Sequence, residues 1–105
     1  MAIVQITRPE GITEEMYDAV NEKMGGDVPD GMIVHTAGRD ENGVFQIIDV
    51  WESRDAMTRF EDERLRPAIS EVMRANGMDP DQAPPPTQTS YETYKVMGAA
   101  LTPAG

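Results

Sequence analysis

The stretch that decides the fold is Gly31 to Ser53, GMIVHTAGRDENGVFQIIDVWES. Two runs rich in β-branched residues, Met32 to Arg39 and Val44 to Glu52, flank Asn42-Gly43, the dipeptide that most strongly marks a hairpin because both residues tolerate positive φ. Ser53 then stands where a helix N-cap is needed, with Asp55 in the following turn. The stretch also holds the chain's single His (His35), its single Trp (Trp51), and Asp49, a carboxylate inside an otherwise apolar strand.

Upstream, Ile3, Val4 and Ile6 give a first strand that Pro9-Glu10-Gly11 breaks. Thr13 is the expected cap of a helix whose apolar stripe is Met16, Tyr17, Val20 and Met24, and Gly25-Gly26 ends it. Downstream, Met57 and Phe60 begin the apolar face of a second helix. Pro67 must kink that helix or open a new segment within it. Ala68, Ile69, Val72 and Met73 resume the stripe up to Asn76-Gly77. Asp79 to Pro86 is a polyproline-like loop, and Tyr91 to Met97 is expected as the fourth strand. Residues 1–97 are expected to form one domain and 98–105 a flexible tail.

Strand, helix, strand, strand, helix, strand is the βαββαβ order of a ferredoxin-like α+β fold: a four-stranded antiparallel sheet with both helices on one face. The other face should then be polar, yet the third strand is apolar on both alternations, with Phe45, Ile47 and Trp51 on one and Val44, Ile48 and Val50 on the other. The simplest cover is a second copy, giving a homodimer through the sheet face.

Nineteen acidic residues against nine basic give a formal charge of −10, which excludes a nucleic-acid binder and disfavours anionic membranes. The chain has no cysteine, so disulfides, thiolate metal sites and cysteine nucleophiles are excluded together. No signal-like or membrane-spanning run is visible, and a cytoplasmic location is expected. One His without a supporting carboxylate at local spacing is a poor metal site, so neither metal nor other cofactor is expected.

The topology, the two-sided third strand and the step Val50-Trp51-Glu52-Ser53 resemble the dimeric α+β barrel superfamily, in particular its small antibiotic-biosynthesis-monooxygenase-like members, over roughly Ala2 to Met97. The resemblance implies two sheets paired into a barrel and a cavity between sheet and helices, with Trp51 at a strand-three position near it. Some members are cofactor-independent monooxygenases of polycyclic phenols; others degrade haem, dehydrate or isomerise small molecules, or have no assigned activity. The chemistry therefore stays open at this level.

Two residues are candidates for proton transfer. His35 titrates near neutrality and could act as a general base or a haem ligand, or could be a structural His at a seam. Asp49, if buried beside Trp51, could take a raised pKa suited to deprotonating a phenol or enol, or could pair with an arginine of the second helix. A two-residue Asn42-Gly43 turn sends them to opposite faces, whereas a three-residue turn with a bulge sets them opposite each other. Trp51, Phe45, Met57, Phe60 and Tyr91 are the expected pocket for a flat organic ligand, the alternative for Trp51 being plain core. The expected function is a small-molecule-binding protein of monooxygenase-like type; the alternative is a non-catalytic ligand-binding or structural dimer.

Overall fold

The computed structural model describes residues 2–97, and the expected tail at 98–105 lies outside the described residues. Strands β1 (Ile3–Arg8), β2 (Met32–Arg39), β3 (Phe45–Trp51) and β4 (Thr87–Glu92) form one antiparallel sheet in the order β2-β3-β1-β4. Helix α1 (Glu14–Met24) joins β1 to β2. A long helical rod joins β3 to β4 and has three parts: α2 (Arg54–Phe60), a π-helical turn (Glu61–Leu65) and α3 (Arg66–Ala75). This is the ferredoxin-like α+β fold.

Capping follows the sequence closely. Thr13 accepts from the Met16 N–H and Ser53 from the Ala56 N–H, while Gly25 closes α1 at φ 93°. Pro67 lies in the first turn of α3, where no N–H is needed. Its ring would crowd the carbonyl four residues back in a straight α-helix. The chain instead widens by one residue immediately before it, and the Arg66 N–H reaches the Glu61 carbonyl.

The hairpin takes the longer turn. Asp40 N–H bonds the Val44 carbonyl and Gly43 N–H the Asp40 carbonyl, leaving Glu41, Asn42 and Gly43 as the loop. Only Gly43 has positive φ (80°), so the turn is not the two-residue type in which Asn42 would share that conformation. The Asp40 carboxylate fixes it by accepting from the N–H groups of Asn42 (2.8 Å) and Val44 (3.0 Å), which hold its pKa below the usual carboxylate range. A second irregularity sits at the other end of β2: Met32 pairs with Trp51 but Val34 with Val50, so Ile33 is a bulge.

The fourth strand lies earlier than expected, at Thr87–Glu92 rather than Tyr91 to Met97. Its position is set by pairing with β1, from Arg8↔Thr87 to Ile3↔Glu92. Thr93 then closes the ladder by donating its N–H and hydroxyl to the Ala2 carbonyl. Threonines and a serine supply the strand, and all six of its residues are exposed, so no apolar alternation marks it.

The core is in two pieces. Ile3, Trp51 and Met57 join the sheet to α2, with Trp51 1% exposed and tilted against Phe60. Val20, Ala68 and Val72 join α1 to α3. Between the two clusters the helical layer stands off the middle of the sheet.

Candidate functional site

The gap between the core clusters is a cavity of about 500 Å3, walled by apolar side chains from both layers, among them Val20, Met32, Ile47, Trp51, Met57 and Phe60. Gln5, Asp49 and His35 lie along one line across the sheet, because Gln5 pairs with Asp49 and Asp49 with His35. All three line the cavity. A polar row thus crosses the apolar floor.

At one end of the row the three-residue turn sets His35 opposite Asp49. The His35 Nδ1 bonds Asp49 Oδ1, and His35 Nε2 bonds the Tyr17 hydroxyl from α1. The Tyr17 and His35 rings are parallel, and Tyr17 is braced from behind by Phe45 at 5.4 Å between centroids. The Asp49 side chain is 15% exposed and that of His35 33%, so the carboxylate is the more sheltered of the two. The hydrogen bond to Asp49 raises the pKa of His35 above 6.5; burial opposes this and the Asp49 charge assists it.

Nearer the centre, buried Gln5 donates from Nε2 to Glu61 Oε2 at 2.9 Å. Glu61, Arg64 and Leu65 all reach the cavity from the π-helical turn. Arg64 is partly sheltered, its side chain 34% exposed. It donates to the Met24 carbonyl and to Asp27 Oδ1 and lies over the Phe60 ring. Asp27 is held below the usual carboxylate range by that hydrogen bond. The loop after α1 is thereby tied to the rod.

Of the sequence candidates, His35, Asp49, Trp51, Met57 and Phe60 line the cavity. Phe45 is buried behind Tyr17 rather than on the cavity wall. Tyr91 pairs with Val4, on the row that faces away from the helices, and is half-exposed there. Tyr17 and Glu61 were not singled out from the sequence. In the sequence Tyr17 reads as one member of a helical apolar stripe, although a hydroxyl on such a stripe requires a partner. Glu61 depends on the π-helical turn, for which Pro67 is the only signal. No group of three or more His, Cys, Asp or Glu placed to hold a metal occurs among the described residues.

A hydrogen-bonded Tyr–His–Asp chain thus opens into a largely apolar cavity of a ferredoxin-like fold. No helix among the described residues is long and apolar enough to cross a membrane. No family model and no curated protein matches the chain. Solved structures do. A Deinococcus radiodurans protein provisionally named an antibiotic biosynthesis monooxygenase is 20% identical, covering 93% of this chain and 97% of its own, at a TM-score of 0.59. SnoaB, a cofactor-independent oxygenase from Streptomyces nogalater, is 15% identical over 91% of this chain and 94% of its own, at 0.58. A dimeric ferredoxin-like protein of unknown function from Thermobifida fusca is 12% identical over 89% and 92%, at 0.58. The chain shares the fold of the antibiotic-biosynthesis-monooxygenase-like proteins.

Proposed function

We propose that the cavity binds a flat organic molecule and that His35 removes a proton from its hydroxyl or enol, as the first step of a cofactor-independent oxygenation. The observation that carries this reading is the Tyr17–His35–Asp49 chain, which opens into an aromatic-walled cavity.

With His35 neutral, Asp49 accepts the Nδ1–H and fixes the tautomer, so the Nε2 lone pair faces Tyr17 and the cavity. A substrate hydroxyl bonded to the Tyr17 oxygen gives its proton to Tyr17 as the Tyr17 hydroxyl passes its own to Nε2, and the Asp49 carboxylate stabilises the imidazolium that forms. The resulting phenolate or enolate is rich enough in electrons to react with dioxygen. One oxygen atom enters the ring as a carbonyl, and the other leaves as water with the two hydrogens the substrate loses. Tyr17 orients the imidazole and bonds the incoming oxygen.

Dioxygen uptake with hydroxylated polycyclic aromatics tests this. His35→Gln and Asp49→Asn should each lower the rate by roughly 100-fold or more while leaving the thermal midpoint nearly unchanged at a pH above the His35 titration. Because the neutral imidazole is the base, the rate should rise with pH through a midpoint above 6.5, and Asp49→Asn should move that midpoint down. Uptake that is absent, or equal in the variants, would overturn the reading.

The second reading, a non-catalytic ligand-binding dimer, draws on the open face of the sheet. Val34, Ile48 and Tyr91 are exposed there beside Val4 and Val50. We propose that a second copy covers this face, whether or not the cavity is catalytic.

A further inference from the structure

We propose that Glu61, which accepts from Gln5, forms the far end of the binding site and sets its specificity. It accepts a ligand carrying a hydrogen-bond donor, hydroxyl or amino, at the end remote from His35, and turns away one carrying a carboxylate there. This rests on the reading of the cavity as a site for a flat organic molecule and adds what the second end must look like.

Three observations support it. Gln5 is a buried amide on a central strand, and its Nε2 is committed to Glu61, whose carboxylate reaches the cavity wall. Adjacent strands lie about 4.8 Å apart, so Gln5 and His35, two strands apart, have backbones about 10 Å apart, the scale of a fused-ring ligand. Finally, the wall is acidic. Asp27, Asp49 and Glu61 all line it, against Arg64 as the one Lys or Arg there among the described residues. Arg64 is already held by Asp27 and the Met24 carbonyl, so it offers no ready counter-charge to a ligand carboxylate. The π-helical turn before Pro67 brings Glu61 and Arg64 to the cavity together.

A carboxylate facing Glu61 meets like charge in a sheltered site, whereas a hydroxyl or amino group donates to it. A purely structural Gln5–Glu61 tie would influence melting but not choose among ligands.

The test is binding by quenching of Trp51 fluorescence, at neutral pH, for three probes. They are naphthol, a naphthalenediol with hydroxyls at opposite ends, and the hydroxynaphthoate that replaces the remote hydroxyl with a carboxylate. The wild-type chain should bind the diol about tenfold or more tighter than the hydroxynaphthoate, and Glu61→Gln should bring the two within roughly threefold. A melting curve on the same sample checks that Glu61→Gln is folded. Gln5→Met, which frees Glu61 from its partner, should keep the preference for the diol over the hydroxynaphthoate. If naphthol binds but the wild type does not favour the diol, or Glu61→Gln leaves the preference intact, the specificity assignment is wrong and the cavity reading stands. If none of the probes binds, the cavity reading fails and this inference with it.

Discussion

The two faces of the one sheet differ in what they leave unfinished. The face under the helices is closed at its ends, by Trp51 with Ile3 and Met57 on one side and by Phe45 with Tyr17 on the other, and open in the middle, where a polar row crosses it. On the opposite face polar side chains lie toward one end, at Gln46 and Arg8, and among the described residues Val34, Ile48 and Tyr91 stand exposed beside Val50 and the buried Val4. A hollow with polar groups at its floor suits a small ligand held by hydrogen bonds. A broad apolar surface suits another protein surface. Strand alternation lets one segment, β3, contribute to both faces, with Asp49 and Trp51 on one side and Ile48 and Val50 on the other.

The comparison can be broken most directly at Trp51. Trp51→Ala should cost about 3–5 kcal/mol, read from urea unfolding, because the closed face has few other large buried side chains. A loss under about 1 kcal/mol would mean that the helical layer contributes little to stability. On the open face, Ile48→Lys should convert a dimer to a monomer in sedimentation equilibrium; a wild-type chain that is already monomeric at micromolar concentration would refute the proposed pairing. Gly31→Ala probes the joint between the layers. Gly31 has φ 84°, and a Cβ there would lie 2.6 Å from the Ala56 Cβ, so a loss of more than about 1 kcal/mol is expected from thermal unfolding.

The smallest effect is the most specific to the polar row. The His35 pKa is raised in the folded state, so its contribution to stability is fully present below pH 6.5 and is lost as pH rises through the folded value. Stability measured across that window should decline in the wild type and lose this component in Asp49→Asn. His35→Gln should show the same flattening, and if neither does, the two side chains are not coupled in solution.

Much of this was legible in the sequence, because local chemistry determined it. Thr13, Ser53 and Gly25 cap helices for reasons contained within four residues, and the β-branched runs around the hairpin leave little choice of strand. The register was less plain. Asn42-Gly43 fits either a two-residue or a three-residue turn; with Asp40 at the first position and Gly43 at the fourth the chain takes the longer one, and the Asp40 carboxylate enforces it. That detail decides whether His35 meets Asp49. The fourth strand was displaced because an edge strand made of Thr and Ser takes its position from its neighbour rather than from its own pattern. Tyr17 and Glu61 needed the tertiary structure: one had to be aimed at a residue on another element, the other carried to the cavity by a widened turn.

The bulge at Ile33 has a further consequence. It puts Met32 beside Trp51 and His35 beside Asp49 on the same face, although the two residues are three apart. It also lies on β2, whose outer side is a bare row of backbone donors and acceptors at the rim of the sheet. A regular rim strand is a template on which further chains can stack without limit. An extra residue near one end of that strand bends and twists it, so an incoming strand cannot keep step along its length. The irregularity that brings Met32 and His35 to one face thus also works against edge-to-edge pairing along β2.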